Sequence, residues 1–335
     1  MTNGRAEFAI LGAGALGSIL GGHLARAGRS VVVLARDARA LQLQNSGIRL
    51  SGLASWTQAV PVLADPTAFK GAEVLIVATK TYGTEAALAP LRHAPVDAVM
   101  SVQNGLMKNG QLGAVFGESR VLGALADVSG EMLADGSVLF TRNEQLLVGE
   151  LHARRDDRAA RIAGALDASG IRASAVPDID SLEWSKFASW AGLMIVSVTT
   201  RESSAAFLTQ PATATVLVRI VREVGTLAQR CGITLSDRST LPVATICTGE
   251  EDNAVDAVLN FGKRLQVLAP THRMSSLQDL EACRPIEIDE TLGYAVRKGT
   301  SLGVPLPLLS AFYLLVTGVD QLRRRPLHKI NTVLL

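Results

Sequence analysis

Three polar positions in this 335-residue chain carry side chains suited to contact a small carbonyl compound. Lys80 and Asn104 each follow an apolar run, and the amide of Asn104 can hydrogen-bond a carbonyl or carboxamide group. Lys186 stands between Trp184 and Phe187 in a mainly apolar segment. Partial desolvation at such a place lowers the pKa of an ammonium group and makes it a better proton donor.

Each of these positions also has a plainer interpretation. Asn104 is followed by Gly105, and an Asn-Gly dipeptide is at least as typical of an ordinary turn. Taken alone, the position of Lys186 favours the interpretation that its ammonium is solvated and its aliphatic stem covers apolar surface. The elements that position these residues must therefore decide between the two interpretations.

A glycine motif near the N-terminus predicts the first of those elements. Four apolar residues, 8–11, lead into Gly12, Gly14 and Gly17, spaced as G-x-G-x-x-G. In a dinucleotide-binding strand, turn and helix, the first glycine allows the sharp turn, the second allows close approach of a pyrophosphate, and the third allows tight packing. The predicted cofactor loop is Gly12, Ala13, Gly14, Ala15, Leu16 and Gly17.

Arg36 ends the predicted second strand, over residues 30–35. An NAD site usually has an acidic residue near this point, whereas an arginine can pair with the 2′-phosphate of NADP. Arg36 therefore favours NADP. Asp37 follows directly, and a shift of the turn by one residue would present a carboxylate instead.

Alternating strand and helix patterns in the first half predict a doubly wound, mainly parallel α/β sheet of the Rossmann type. Further strands are predicted over residues 57–62, 74–78, 98–102, 121–125 and 171–176, with a hairpin around residues 135–149 and a helix over residues 154–168. Beyond residue 178, helical periodicity predicts helices over residues 182–197, 211–230, 253–268, 275–282, 286–298 and 308–324. The sequence thus predicts a dinucleotide-binding domain at residues 1–178 and an all-α domain at 179–335, with a substrate cleft between them.

Bulk composition excludes several classes of protein. Lys and Arg total 33 against 31 Asp and Glu, and this small difference is not enough to attract nucleic acid or an anionic membrane. Three scattered cysteines without metal-ligand spacing suit a cytoplasmic protein with reduced thiols. Pro305 and Pro307 interrupt the uncharged stretch 300–319, so it predicts no membrane span. It predicts instead a helix that is either buried or part of an interface. In the second case the interface would be that of a homodimer.

The chain resembles the ketopantoate reductase family, whose members reduce 2-dehydropantoate to pantoate with NADPH. The resemblance runs nearly end to end, in family order and approximate spacing. The positions that carry it are residues 12–17, 36, 79–80, 103–105, 184–186, 275–279 and 287–289.

This resemblance implies a role for each matched side chain. Lys186 is implied as the general acid, and Ser275 as the group that binds the substrate carboxylate. Lys80 and Asn104 are implied to border the cofactor and the substrate carbonyl, and Glu287 to contact the cofactor. An ammonium near a developing alkoxide stabilises the transition state and then donates its proton, without a metal.

The sequence departs from the family pattern at two substrate positions. The family has asparagine four and eight residues after the catalytic lysine, where this chain has Trp190 and Met194. Loss of two amides weakens a site built for a substrate hydroxyl and suits an apolar 2-oxo acid. The predicted partner is therefore a small 2-oxo acid, either 2-dehydropantoate or a close apolar analogue.

Two further functions stay open from the sequence. An opine-type or other hydroxy-acid dehydrogenase would more naturally use a histidine base, and no histidine lies at a family-matched catalytic position. An NADPH-binding regulator without catalysis would explain Trp190 and Met194, although the retained Lys186 argues against it.

Overall fold

The computed structural model of the protein describes residues 5–151 and 157–324. The chain divides into two compact units, with the division after Glu183. The first unit contains a ten-stranded sheet and the helices that cover it. The second unit is helical.

The sheet confirms the predicted Rossmann-type α/β class. Its strands are β1 (Ala6–Leu11), β2 (Val31–Leu34), β3 (Ile48–Gly52), β4 (Trp56–Gln58), β5 (Val62–Leu63), β6 (Ala72–Val77), β7 (Val96–Ser101), β8 (Val121–Met132), β9 (Val138–Glu150) and β10 (Ala173–Ala175). The strand order is β4-β3-β9-β8-β7-β6-β1-β2-β5, with β10 beside β9. Neighbouring strands are parallel except for the β3–β4 and β8–β9 pairs.

Alternate residues of β1 lie on opposite faces of the sheet, and both faces are buried. Phe8 and Ile10 pack in one apolar cluster, and Ala9 and Leu11 pack in another. A parallel strand buried on both sides reads as a continuous apolar run, which is why the sequence locates β1 correctly.

The helices of this unit are α1 (Ala15–Arg26), α2 (Asp37–Ser46), α3 (Thr84–Leu88), α4 (Met107–Phe116) and α5 (Arg158–Ala168). The first residues of the helix predicted over 154–168 lie outside the described residues. Helix α1 packs in the same apolar cluster as β1, through Leu20 and Leu24.

Strands β8 and β9 form the predicted hairpin, but it is much longer than the sequence suggested. The strand predicted over residues 121–125 continues to Met132 because it pairs with β9 from Leu122 onward, although Val128 alone is buried among residues 127–132. Val138 and Phe140 of β9 share an apolar cluster with α1. The far end of the hairpin therefore packs over α1, and its turn lies beside α2.

The prediction of one continuous strand over residues 57–62 was wrong. The structure has β4 and β5 on either side of Pro61, and β3 before them. Proline has no N–H to donate to a strand ladder, so the run is divided at that point. The carbonyl of Pro61 accepts a hydrogen bond from the N–H of Val33, 2.9 Å long, so this residue still contacts the edge of the sheet.

Eight helices of the chain follow these elements among the described residues: α6 (Ile179–Thr200), α7 (Ser204–Leu208), α8 (Pro211–Arg230), α9 (Val243–Thr248), α10 (Glu251–Leu268), α11 (Ser275–Glu281), α12 (Tyr294–Leu302) and α13 (Pro307–Arg324). Most lie close to their predicted bounds. Helices α7 and α9 are too short to give a clear periodicity and were not predicted. None of the described helices is long and apolar enough to cross a membrane.

The helix predicted over residues 286–298 was wrong in its first part. A π-helical turn occupies Asp289–Gly293, and α12 begins only at Tyr294. Ile286 and Ile288 are buried, and the N–H of Ile286 donates to the carboxylate of Asp320. The apolar pair is thus fixed by contacts with a distant part of the chain rather than by a helical repeat.

A buried ion pair and its hydrogen bonds join four elements, β7, α4, β8 and the start of α6. Lys108 Nζ lies 3.0 Å from Glu183 Oε1, and their side chains are only 4% and 6% exposed. Lys108 also donates to the carbonyls of Ser101 and Ala124, while Glu183 accepts from the N–H of Ala124 and from the amide of Asn109. Every donor of the ammonium has an acceptor, and the pair links the end of β7, the start of α4, the first half of β8 and the first turns of α6.

Replacing one partner of this pair should destabilise the first unit strongly. We expect Lys108→Met to lower the free energy of unfolding by about 3–5 kcal/mol, because it leaves a buried carboxylate without a counter-charge. Urea unfolding followed by tryptophan fluorescence measures the change.

The matched control is Lys70→Met, which removes an exposed lysine of the same unit. It should change the free energy of unfolding by less than about 0.5 kcal/mol. Equal midpoints for the two variants would contradict the stabilising role of the pair.

Candidate functional site

The glycine loop joins β1 to α1 through two very close backbone contacts. Gly12 has a φ of +100°, and a Cβ atom there would lie 2.8 Å from the backbone nitrogen of Thr79. A Cβ atom on Gly17 would lie 1.9 Å from the carbonyl oxygen of Gly12. Neither position therefore accepts a larger residue without displacing backbone.

Gly14 differs, because a Cβ atom there would meet no atom within 4 Å. Gly14 is also the N-cap residue of α1, and no side chain caps this helix end. The free backbone N–H groups of a helix N-terminus and its partial positive charge attract phosphate groups. The open space and the helix end together fit the pyrophosphate of a dinucleotide.

A cavity of about 760 Å³ lies beside this loop, within the first unit. It is lined by Leu11, Gly12, Ala13, Gly14, Leu34, Ala35, Arg36, Ala38, Arg39, Gln42, Leu63, Ala64, Pro66, Thr79, Ala86, Ala87, Pro90, Met132, Leu133, Ala134, Asp135 and Gly136. Apolar walls with a few convergent polar groups are typical of a cofactor site. The carboxyl ends of β1, β2 and β6 lead to it, as expected for ligand binding in this class of sheet.

Arg36 lines this cavity and is exposed, whereas Asp37 is not among the lining residues. Arg36 is the N-cap residue of α2, in an extended conformation, and Asp37 follows with a φ of +51°. The backbone at this turn therefore presents the arginine rather than the carboxylate to the cavity.

Arg39 is a site residue that sequence reasoning missed. Its Nε donates to the carbonyl of Ala13, 2.9 Å away, and its Nη2 donates to the hydroxyl of Ser18, 2.8 Å away. Burial, and to a lesser degree the charge of Arg49, lower the pKa of Arg39. The available signal was its position three residues after Arg36, which places both residues at the start of one helix.

Gln103 connects two strand ends that lead toward the predicted site. Its amide nitrogen donates to the carbonyl and hydroxyl of Thr79 and to the hydroxyl of Thr84, and its amide oxygen accepts from Ser101. The side chain is buried. The amide of Gln103, which precedes Asn104 in the sequence, is thus engaged by the protein itself.

Asn104 is half-buried next to Gly105, which has a φ of +84°, and Lys80 is exposed at the other strand end. Neither Lys80 nor Asn104 lines the cavity described above, and Thr79 is the residue of this segment that does. Their proposed contacts with cofactor and substrate stay predictions.

Lys186, Trp190 and Met194 follow one another at intervals of four along α6, and so lie along one side of the helix. Lys186 is half-buried, Trp190 is 8% exposed, and Met194 is fully buried. The rings of Trp190 and Phe187 stack with centroids 6.2 Å apart. Lys186 is thus the polar member of an otherwise apolar row.

Ser275 and Glu287 have different environments in the second unit. Ser275 is exposed at the first residue of α11. Met274 occupies the N-cap position of this helix, and no side chain caps it. Glu287 is buried just before the π-helical turn, and its carbonyl accepts from the hydroxyl of Thr291.

The mainly parallel sheet, the glycine loop and the adjoining cavity define a Rossmann-type dinucleotide-binding fold. Residues 8–153 match the family described as ketopantoate reductase PanE/ApbA, and residues 178–320 match the C-terminal part of the same family. The chain therefore belongs to the ketopantoate reductase family.

Individual proteins agree with this assignment over nearly the whole chain. The 2-dehydropantoate 2-reductase of Archaeoglobus fulgidus is 28% identical over 93% of this chain and 97% of its own length. A PanE/ApbA family ketopantoate reductase from Ralstonia eutropha is similar in structure, with a TM-score of 0.80 and 25% identity, covering 95% of this chain and 99% of its own.

The fold is also shared with D-mandelate dehydrogenase, whose structure was solved with NADH and anilino(oxo)acetate. That likeness has a TM-score of 0.82 at 18% identity, and it covers 95% of this chain and 99% of the other. At this identity the likeness concerns the fold alone.

Proposed function

We propose that the protein reduces a 2-oxo acid to a 2-hydroxy acid with NADPH, acting on 2-dehydropantoate or a close apolar analogue. The observation that carries the proposal is the cavity at the glycine loop, in a chain that matches the ketopantoate reductase family in both of its halves. The open face of Gly14 and the uncapped start of α1 fit the pyrophosphate.

NADP is proposed rather than NAD because of the charges at the end of β2. Arg36 lines the cavity, and Asp37 does not. A guanidinium can pair with both oxygens of a 2′-phosphate, whereas a carboxylate would repel it.

Bound NADPH supplies a hydride to the carbonyl carbon of the substrate. The electron pair of the C=O bond then moves to oxygen, and Lys186 gives its Nζ proton to that alkoxide. The hydroxyl of Ser275 is proposed to hold the substrate carboxylate. Lys80 and Asn104 are proposed to border the cofactor and the carbonyl group, and Glu287 to contact the cofactor.

A second candidate function is reduction of an aryl or branched 2-oxo acid. Trp190 and Met194 are apolar where the family pattern has asparagine, and Trp190 keeps 8% of its surface exposed. The D-mandelate dehydrogenase whose fold this chain shares was solved with anilino(oxo)acetate, an aryl-bearing 2-oxo acid derivative.

A homodimer also stays a prediction.

Arg36→Gln tests the cofactor proposal. We expect the dissociation constant of NADPH to rise by about 10- to 100-fold, which is the loss of a charge-assisted pair worth roughly 1.5–3 kcal/mol. The dissociation constant of NADH should change by less than about twofold, because NADH carries no 2′-phosphate. Fluorescence titration with each nucleotide measures both constants, and equal losses would contradict the assignment.

Lys186→Ala tests the proton donor. We expect kcat to fall by about 10²- to 10⁴-fold, the usual contribution of a positioned acid, while the dissociation constant of NADPH stays unchanged. In the unsubstituted protein the rate should fall as the pH rises far enough to deprotonate the ammonium, provided that chemistry limits turnover.

Lys263→Ala is the matched control, because this lysine is exposed on α10. It should leave both kcat and the pH profile unchanged. NADPH binding without turnover of any 2-oxo acid would instead favour the alternative that the protein is an NADPH-binding regulator without catalysis.

Comparison of 2-dehydropantoate with 2-oxoisovalerate tests the substrate proposal. The first compound carries a hydroxymethyl group that the second lacks, and Trp190 and Met194 replace two amides with one indole N–H donor and a weakly accepting thioether. We expect kcat/KM to be at least as high for 2-oxoisovalerate, and Trp190→Asn to shift the ratio toward 2-dehydropantoate by about tenfold, the value of one hydrogen bond. A clear preference of the unsubstituted protein for 2-dehydropantoate would contradict the proposal that an apolar analogue is the better substrate.

A further inference from the structure

The turn of the long hairpin, residues 133–136, forms one side of the dinucleotide cavity. Met132, Leu133, Ala134, Asp135 and Gly136 all line it. Met132 and Leu133 are each 37% exposed, which is high for large apolar side chains. The turn lies far along the chain from the glycine loop, so a specific contact must bring the two together.

Arg39 supplies that contact. Its Nε donates to the carbonyl of Ala13 in the glycine loop, and its Nη1 donates to the carbonyl of Gly136 in the turn, over 2.9 and 2.7 Å. The same guanidinium donates to Gln42 and Ser18. One planar, rigid group thus bridges two backbone segments that are 123 residues apart in sequence, as calculated from their numbers 13 and 136.

The turn also contacts neighbouring side chains at close range. Its Asp135 carbonyl accepts from the amide of Gln42 and from the guanidinium of Arg49, over 2.7 and 2.6 Å. Gly136 has a φ of +75°, and a Cβ atom there would lie 1.7 Å from Nε2 of Gln42. An alanine there would strain the backbone and would displace the Gln42 side chain that holds the turn to α2.

The contact with Ala13 also fixes the direction of a phosphate-binding group. In a trans peptide the C=O of one residue and the N–H of the next point in opposite directions. Since the carbonyl of Ala13 points to Arg39, the N–H of Gly14 points away from it. Arg39 therefore orients the amide of the residue whose open face fits the pyrophosphate.

We propose that Arg39 is a positioning residue for the dinucleotide, which holds the hairpin turn against the glycine loop as a preformed wall of the cofactor site. Arg39 acts on the shape of the site, through backbone carbonyls, and Arg36 acts on the 2′-phosphate. A site held in its binding conformation loses less conformational entropy when ligand binds. The proposal rests on the dinucleotide binding that the proposed function requires.

The test compares the binding of NADPH and NADH to Arg39→Met and Gly136→Ala variants. Both variants should weaken both nucleotides by about tenfold or more, because a hydrogen bond to a charged group is worth roughly that factor. The ratio of the two dissociation constants should stay that of the unsubstituted protein. Arg36→Gln provides the contrast, because it should change the ratio.

Gly117→Ala is the matched control for Gly136→Ala. Gly117 has a φ of +88°, and a Cβ atom there would meet nothing within 4 Å. It introduces the same kind of backbone strain in the same unit, away from the turn, and should leave both dissociation constants unchanged. Thermal unfolding of both glycine variants shows whether they lose comparable stability.

The double variant Arg39→Met with Gly136→Ala should bind no more weakly than the weaker single variant, because both changes release the same turn. Amide hydrogen exchange without nucleotide should be faster at residue 136 in both single variants than in the unsubstituted protein, where this N–H donates to the carbonyl of Leu133.

Several results would overturn the proposal. These are nucleotide affinities unchanged by Arg39→Met, a loss confined to NADPH, additive losses in the double variant, or an equal effect of Gly117→Ala. If the unsubstituted protein binds neither nucleotide, this proposal and the proposed function fail together. If it binds NADPH but reduces no 2-oxo acid, only the proposed function fails.

Discussion

The contact between Gly12 and Gly17 is the constraint on which the candidate site depends. A Cβ atom at Gly17 would lie 1.9 Å from the Gly12 carbonyl, so α1 can begin at this place only when residue 17 has no side chain. That position puts the free N–H groups of α1 at the carboxyl end of β1, next to the cavity. The dinucleotide site follows from this steric condition before any charged group is considered.

Local chemistry explains which parts of the site and fold the sequence could predict. The glycine spacing, the apolar strand before it and Arg36 all act within one strand-turn-helix unit, so their pattern is continuous in sequence. The hairpin turn and Arg39 act over a distance of about one hundred residues. Nothing in residues 133–136 identifies α2 as their neighbour, because that contact depends on how far β8 and β9 extend over α1.

Arg36 and Arg39 show why composition alone cannot assign roles to arginines in such a site. Both line the cavity, and both lie near the start of α2. The guanidinium of Arg39 already donates to Ala13, Ser18, Gln42 and Gly136. Arg36 is exposed and extended at the N-cap position, so its charge can reach a ligand. The two proposals thus assign electrostatic selectivity to Arg36 and structural positioning to Arg39, although both residues are arginines near the start of one helix.

Helix α6 combines two charged residues with different surroundings, Glu183 and Lys186. Glu183 is 6% exposed and neutralised by Lys108, with further hydrogen bonds to Asn109 and Ala124, so its charge is used entirely within the fold. Lys186 follows three residues later, is only half-buried, and heads a row whose next members are Trp190 and Met194. A rigid helix fixed at its first turns gives such a lysine a defined position. The proposed function assigns substrate selection to the apolar residues after it, and protonation of the reduced carbonyl oxygen to its ammonium group.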